Sequence, residues 1–261
     1  MSEIFFGPSG LGGKEEAIRN LQIYSKLGLK ACEVAFTYGV YLNKKDAEEI
    51  GKEAEKLGIV LSIHAPYYIN LNSDDKKKLF MSRKRILDCC EIGHYLSGIE
   101  KTRIVFHPGF YGKLDREVAF ENIKKQIVEL MDEVKKNKWN VVLCPEVMGK
   151  INVFGSIEDI SKLSEETGCG FCIDFAHVLA RYKNHEFDLI KKSFPGKYWH
   201  CHFSGIVYGD KGEKNHRHTE KKEWEELFAF LKRLDKHINL VSEAPNPVGD
   251  SEEGLTIWEN I

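Results

Sequence analysis

Short apolar runs that each end in a histidine or an acidic residue recur six times along this chain. In the first of them, residues 60–63 have the composition of a buried strand and His64 follows. Pro66 then ends the strand because it has no N–H to donate. A metal-capable side chain is therefore expected at the tip of a strand. Because the same order of strand, polar residue and loop repeats downstream, this pattern constrains the fold more than any other feature.

Helical patterns lie between these runs, and two further strands are expected before the first histidine. Ser73 and Asp115 are placed to cap two long amphipathic helices. A later helix is expected to reach about residue 193, and residues 209–219 read as a polar loop. Strands and helices therefore alternate along the chain.

Eight strands that alternate with helices predict a parallel sheet with right-handed crossovers. Eight such units in 261 residues predict an α/β fold, a single (β/α)8 TIM barrel that spans residues 1–261 as one domain. In this architecture the functional groups gather at the C-terminal face, where the strands end. The residues expected to meet at that face are His64, His107, Glu146, Asp174, His202 and Glu243.

Strand alternation gives a second test of this interpretation. Residues two positions before each strand end should point in the same direction, into the barrel. Most of them are small or apolar, as an interior layer beneath a polar mouth should be. These residues are Ser62, Val105, Cys144, Cys172, His200 and Val241.

Three imidazoles and three carboxylates that converge on one mouth favour a divalent cation, which would neutralise the carboxylates. His177 follows Asp174 by three residues, and His216 and His218 lie after strand seven, which is enough for more than one ion. Two ions ~3.5–4 Å apart can activate water and stabilise a leaving oxygen in phosphoryl transfer. The mixed nitrogen and oxygen donors suit Zn²⁺, with Mn²⁺ or Fe²⁺ as alternatives.

Several of these residues also have purely structural interpretations. A lone histidine in an apolar strand is often a hydrogen-bonded core residue, and His200 is such a case. Cys169 and Cys172 have C-x-x-C spacing, but the start of a strand favours ordinary packing of both thiols. Glu33 in strand two either supports a metal ligand or forms an ordinary salt bridge, and the sequence leaves both interpretations open.

Composition indicates a cytoplasmic protein without a membrane segment. The N-terminus lacks a basic region followed by an apolar one, and no run approaches the ~18 apolar residues of a spanning helix. Seven scattered cysteines do not form the framework of a small secreted domain. A net charge of −2 neither requires nor excludes a polyanionic partner.

Five motifs together resemble endonuclease IV, the metal-dependent apurinic/apyrimidinic endonucleases of family 2. They are residues 62–71, 107–109, 172–177, 202–204 and 243–247, which cover strands three to eight in the order of that family. The resemblance implies a xylose-isomerase-like barrel and hydrolysis of the DNA phosphodiester 5′ to an abasic site, leaving a 3′-hydroxyl. DNA with abasic sites is the implied partner, and no obligatory protein partner is implied.

The resemblance also implies roles for individual residues. Glu146 would bridge two zinc ions and assist proton transfer as the catalytic carboxylate, and Tyr67 and Tyr68 would contact DNA. A third ion is also implied, for a total of two or three. The implied metal ligands are His64, His107, Glu146, Asp174, His202 and Glu243, with His177 and His216 for the third ion.

This chain departs from the family pattern at three points. The family supplies an Asp-x-His pair to the third ion, but Lys214 precedes His216 here, with Glu213 and His218 as candidate replacements. The family inserts an arginine into DNA after strand two, and residues 37–42 contain none. The family's Tyr-Leu pair is matched by two tyrosines after strand three.

Two other functions fit part of the pattern. A sugar isomerase or epimerase of the same barrel class would hold a single metal with two glutamates, an aspartate and a histidine. His64, His107 and His177 argue against it, because one ion does not need them as ligands. A non-catalytic metal-binding or scaffold protein is the third interpretation. The ligands of the isomerase would be Glu146, Asp174, His202 and Glu243.

Overall fold

Eight parallel strands form a closed ring in the computed structural model, which describes residues 2–261. The predicted (β/α)8 TIM barrel is therefore confirmed. The predicted domain boundary at Met1 lies outside the described residues, and the single domain stays a prediction. All strands but β8 and β9 belong to the ring, and the strands are Glu3–Pro8 (β1), Ala31–Ala35 (β2), Val60–His64 (β3), Thr102–Phe106 (β4), Val141–Pro145 (β5), Cys172–Asp174 (β6), Tyr198–Phe203 (β7), Gly205–Gly209 (β8), Gly212–Arg217 (β9) and His237–Ser242 (β10).

The ring consists of two four-stranded sheets joined at two seams. One sheet has the order β2-β3-β4-β5 and the other has the order β1-β10-β7-β6. At the first seam, Ser9 forms an isolated parallel bridge with Glu33. At the second seam, Glu146 forms the same kind of bridge with Cys172, and Val147 N donates to the Cys172 carbonyl at 3.0 Å, a typical distance for a backbone hydrogen bond. These contacts close the barrel.

Helices surround the ring, and their caps test the sequence interpretation. Asp115 caps α4 as predicted, but Ser73 as the cap of α3 is wrong. The side chain of Asp75 instead accepts hydrogen bonds from the backbone N–H groups of Lys77 and Lys78. The helices are Lys14–Lys26 (α1), Lys44–Leu57 (α2), Lys76–Leu96 (α3), Arg116–Lys136 (α4), Ile157–Thr167 (α5), Phe175–Tyr182 (α6), Phe187–Ser193 (α7), Lys221–Leu231 (α8) and Pro247–Glu259 (α9). Among residues 2–261 no helix is long and apolar enough to cross a membrane.

The helix expected to continue to about residue 193 is divided in two. It breaks between α6 and α7, where Lys183 and Glu186 adopt left-handed backbone conformations with φ of 62° and 48°. A continuous helix cannot accommodate such residues, because each reverses the sign of φ. The prediction of a single helix there is therefore wrong.

The polar loop predicted at residues 209–219 is also wrong, because most of it forms an antiparallel hairpin of β8 and β9. The hairpin lies on the loop that follows β5. A Cβ atom at Gly212 would lie 2.1 Å from the carbonyl oxygen of Gly149, and Gly212 has a φ of +101°. Only glycine allows this approach, so the hairpin packs directly against the mouth of the barrel.

Below the mouth, the interior of the ring is layered as predicted. Val105, Cys144 and Cys172 form a small buried apolar cluster. Cys169 is also buried, and both members of the C-x-x-C pair are free thiols, in agreement with ordinary packing. The main core lies between the ring and the helices, and Trp199 is among its fully buried side chains.

Candidate metal centre

The C-terminal ends of the ring strands surround a cavity of about 340 Å³ at the mouth of the barrel. The residues predicted from strand ends therefore meet at one end of the ring, as the parallel order of the strands requires. The chain elements that deliver them are β3, β6 and β7, together with the residues directly after β4, β5 and β10. The residues that line the cavity include His64, Tyr67, His107, His177, Glu213, His216 and Glu243.

Glu146 lies at the centre of this arrangement and is fully buried. Its Oε2 atom lies 3.4 Å from His64 Nε2 and 3.1 Å from His107 Nε2. Its Oε1 atom lies 3.2 Å from His202 Nδ1 and 3.4 Å from His177 Nδ1. Burial would raise the pKa of Glu146, but hydrogen bonds from these four imidazoles hold that pKa well below its usual range. The carboxylate is ionised and offers one oxygen to each pair of imidazoles.

The backbone orients the first of these imidazoles. His64 Nδ1 lies 2.9 Å from the carbonyl oxygen of Ala65, to which it can only donate. The other ring nitrogen, Nε2, points toward Glu146 and is the one that could bind an ion. Metal-binding histidines are typically fixed in this way by a hydrogen bond at the nitrogen that does not bind the ion.

Asp174 supplies the observation that best tests whether a cation fits here. Its Oδ1 atom caps α6 by accepting from the backbone N–H of His177 at 2.7 Å. Its Oδ2 atom is buried and makes no hydrogen bond. Burial raises the pKa of Asp174, and the neighbouring carboxylates Glu146 and Glu243 add to the shift. A divalent cation would satisfy this oxygen and relieve the repulsion, so the donor set fits a metal ion.

Four groups of side chains have nitrogen, oxygen or sulfur atoms within 4.8 Å of one another. Three of them are at the mouth, two of these share Glu146, and the fourth lies deeper in the barrel. The role of these residues as metal ligands stays a prediction. The groups are His64, His107 and Glu146; Glu146, Asp174, His202 and Glu243; Asp174, His177 and His216; and, below them, Cys172, His200 and His202.

The hairpin adds a carboxylate to the third group. His177 Nε2 lies 3.0 Å from Glu213 Oε2, and this oxygen is buried with no hydrogen bond. His216 Nδ1 lies 2.6 Å from the hydroxyl oxygen of Ser204, which holds the ring in place. Glu213 is therefore positioned beside the two histidines of the third group.

A β-bulge explains why this carboxylate stands three residues before His216. Glu213 and Asn215 pair with consecutive residues of β8, which leaves Lys214 unpaired. An extra residue of this kind re-aims the side chains around it. The bulge thus allows Glu213 and His216 to face the mouth together.

His218, the other candidate replacement in this loop, is not at the site. Its side chain is 61% exposed, with Nδ1 3.1 Å from Asp250 and Nε2 3.2 Å from Glu253. It therefore lies between α9 carboxylates rather than at the mouth. His218 as a contributor to the third ion site is wrong.

Comparison with known proteins identifies the family. The model of the xylose isomerase-like TIM barrel, which is named for AP endonuclease family 2, matches residues 21–261. The chain belongs to the xylose isomerase-like TIM barrel family. An uncharacterized protein of Methanocaldococcus jannaschii is 32% identical over 257 residues, which cover 93% of this chain and 92% of that protein. The resemblance to endonuclease IV inferred from the motifs is confirmed at the level of the family.

Matches to named enzymes of the family are more distant. A probable endonuclease 4 of Mycoplasma mobile is 28% identical over 146 residues, or 53% of this chain and 49% of that protein. A D-psicose 3-epimerase from Clostridium cellulolyticum H10 superposes with a TM-score of 0.69 over 100% of this chain and 98% of that chain, at 13% identity. The first match covers about half of each chain, and the second shows the fold alone. Both relatives are named as enzymes.

Two tyrosines that the family resemblance assigns to DNA occupy different places. Tyr67 lines the cavity, and its ring centroid is 6.4 Å from that of His107. Tyr68 is 77% exposed, has a left-handed φ of 67°, and lines an adjoining groove with Phe110. The loop after β2 presents Tyr38, which contacts Tyr67 edge to face at 6.5 Å. The loop after β2 therefore places an aromatic ring beside Tyr67, and residues 37–42 contain no arginine.

Glu33, for which the sequence leaves two interpretations open, lies directly beneath the mouth. This residue is fully buried inside the ring, and His202 Nε2 lies 3.1 Å from its Oε1 atom. His200, predicted as a core histidine, is buried beside it, with Nε2 3.2 Å from Glu33 Oε2. Glu33 thus lies directly behind His202, one of the residues that the family resemblance assigns to the metal site. Its sequence signal is a charged side chain within a strand, β2, that does not itself end in a metal-capable residue.

Proposed function

We propose that the chain is a metal-dependent endonuclease that hydrolyses the phosphodiester 5′ to abasic sites in DNA and leaves a 3′-hydroxyl. The observation that carries the proposal is the position of Glu146 between two donor sets, each with its own histidines. Two ion positions that share one carboxylate suit phosphoryl transfer, whereas a sugar epimerase needs a single position. The partial similarity to endonuclease 4 supports the same reaction.

The side chains of the site have separate roles in this reaction. Bound divalent ions would supply an activated water and stabilise negative charge on the phosphate. Glu146, ionised and adjacent to both donor sets, is placed to accept a proton from the attacking water. Tyr67 on the cavity wall is placed to stack in the gap left by the missing base. Extrusion of an abasic nucleotide costs less than that of an intact one, because there is no base to unstack.

Ion counting and an incision assay test the proposal together. We expect elemental mass spectrometry to find two or three ions per chain, mainly zinc. An end-labelled duplex with one tetrahydrofuran residue should be cut 5′ to it, and a DNA polymerase should extend the product directly. A matched duplex without the lesion is the control. One ion per chain and no incision after reloading with zinc would overturn the proposal.

A single-metal epimerase is the second candidate, because the structural similarity to D-psicose 3-epimerase covers the whole chain. The four donors of the second group could serve such an enzyme. We expect no epimerisation of ketohexoses by the manganese-loaded or cobalt-loaded protein. Epimerase activity together with one bound ion would favour this candidate and leave His64 and His107 without an ion to bind.

Glu213 is proposed as the carboxylate of a third ion position with His177 and His216. Replacing it by glutamine keeps the shape but removes the charge, so Glu213→Gln should bind one ion fewer than the parent protein. Incision should fall by about 10–100-fold, as for loss of groups around a metal site. His218→Gln is the matched control and should change neither quantity. An unchanged ion count in Glu213→Gln would remove this residue from the centre.

Tyr67→Ala should weaken binding to an abasic duplex by ~1–3 kcal/mol if the ring stacks in the gap. Fluorescence anisotropy with labelled duplex at fixed salt measures this change. Tyr198→Ala is the control, because this tyrosine is 64% exposed at the start of β7, at the opposite end of the barrel. Equal affinities of Tyr67→Ala and the parent protein would make Tyr67 a structural residue of the cavity wall.

A further inference from the structure

Glu33 carries a buried carboxylate that the proposed reaction does not use. It is on β2 and has no exposed surface. Ser62 Oγ donates to its Oε2 at 2.9 Å, and His200 Nε2 lies 3.2 Å from the same oxygen. His202 Nε2 lies 3.1 Å from Oε1. Donors from β3 and β7 therefore converge on one carboxylate directly beneath the mouth.

A buried ionised carboxylate needs a compensating reason to be retained. Removing such a group from water costs several kcal/mol, and apolar residues of similar volume often replace buried ion pairs without loss of stability. Other positions in the barrel interior are apolar, for example Val105 and Cys144. The position of Glu33 against one particular histidine of the mouth therefore calls for a functional explanation.

We propose that Glu33 is the positioning residue of His202, fixing its tautomer and ring orientation so that Nδ1 presents a lone pair to the metal centre. The inference rests on the proposed ion site, but it holds for either the endonuclease or the epimerase.

The two ring nitrogens of His202 face different environments. Nε2 faces Glu33, whereas Nδ1 lies 3.2 Å from Glu146 and 3.5 Å from Glu243 at the mouth. Both nitrogens face carboxylates, and Nε2 also lies at hydrogen-bond distance, 3.3 Å, from Glu33 Oε2. An ion at Nδ1 displaces the proton there, so the remaining proton is on Nε2, where Glu33 accepts it. A carboxylate behind a metal-bound imidazole also raises the basicity of that ligand.

His200 and Ser62 hold the carboxylate in this orientation. His200 is two residues before His202 on β7, so both side chains point into the ring. The His200 Nδ1 atom has no hydrogen-bond partner, which leaves Nε2 as its one polar contact with Glu33. Cys172 lies near the same two histidines, and an ion bound there would need His202 Nε2. The proposal assigns Nε2 to Glu33 and the ion to Nδ1.

Metal affinity gives the first test. We expect Glu33→Gln to weaken the ion held by His202 by about 10–100-fold, measured by competition with a chromophoric chelator. The ion at His64 and His107 should keep its affinity, so only the titration step of the ion at His202 should shift to higher concentration. Glu100→Gln is the matched control, because Glu100 also faces a histidine, His237 Nε2, at 2.9 Å, but at the opposite end of the barrel. It should leave both steps unchanged.

The hydrogen bond at His202 Nε2 gives a second readout that does not depend on bound metal. With ¹⁵N-labelled histidine in the chelated protein, the Nε2–H proton of His202 should show the downfield shift of a hydrogen bond to a carboxylate and lose most of this shift in Glu33→Gln. Near-ultraviolet circular dichroism checks that the variant is folded. Should the fold fail, Ser62→Ala removes one support of Glu33 and should change the same proton shift less.

Two results would overturn the inference. One is an unchanged Nε2 proton shift and unchanged affinity in folded Glu33→Gln. The other is a thiolate-to-cobalt charge-transfer band in the cobalt-loaded protein that Cys172→Ser abolishes, since this band would place the ion in the lower group. If the parent protein binds no ion, the proposed function fails, but the Nε2 proton shift still decides whether Glu33 holds His202.

Discussion

Glu146→Gln should nearly abolish phosphodiester cleavage while the barrel stays folded. Glu146 places one oxygen against His64 and His107 and the other against His177 and His202. A glutamine keeps the volume but loses the negative charge and one of two equivalent oxygens. It therefore cannot serve both donor sets. Loss of several kcal/mol of transition-state stabilisation corresponds to a fall on the order of 10³-fold in turnover.

Single-turnover incision of the tetrahydrofuran duplex, with both proteins saturated in zinc, measures this effect. Glu129→Gln makes the same substitution on α4, outside the barrel, where Glu129 pairs with Arg83. That control should retain full activity. Unchanged turnover in Glu146→Gln would eliminate the proposed mechanism, and circular dichroism separates a catalytic loss from unfolding.

Gly7→Ala should have the largest effect on stability, because Gly7 stands at the seam between β1 and β2. A Cβ atom at this position would lie 1.7 Å from the carbonyl oxygen of Ala31. A backbone atom cannot move aside as a flexible side chain can, so the two strands must part. Separation would break the bridge between Ser9 and Glu33, and we expect a loss of more than about 4 kcal/mol in the free energy of unfolding.

Urea denaturation followed by tryptophan fluorescence measures this loss, and insoluble expression would be the extreme outcome. Gly196→Ala provides the control, because nothing lies within 4 Å of a Cβ atom at Gly196, its φ is not positive, and it lies outside every helix and strand. This variant should be as stable as the parent protein. A Gly7→Ala protein with the parent midpoint and slope would show that the seam is wider than described.

The fold was predictable because six of the eight ring strands combine an apolar run with a polar end. His64 and Asp174, for example, follow runs too short for helices, and the parallel order then requires these ends to meet. The hairpin was not predictable in the same way. Residues 212–217 have no apolar alternation, and the hairpin depends on the approach of Gly212 to Gly149, which are far apart in sequence. Contacts of this kind leave no periodic signal.

Individual roles within the site were harder to predict than its existence. Glu213 lies three residues before His216 and His218 two residues after it, and only the bulge at Lys214 determines which of them faces the mouth. Similarly, Ser73 and Asp75 are both good cap residues. Because α3 begins at Lys76, Asp75 occupies the N-cap position. Glu33 could not be assigned because its partners, such as His202, lie on strands distant in sequence.

The two seams of the ring have a consequence for the assembly of the molecule. His64 is on the sheet β2-β3-β4-β5, whereas Asp174 and His202 are on the other sheet, and Glu146 stands at the seam between β5 and β6. An ion bound by Glu146 together with Asp174 and His202 would connect the two half-barrels. Each half would then be incomplete as a binding site, and metal uptake would report that the halves have closed.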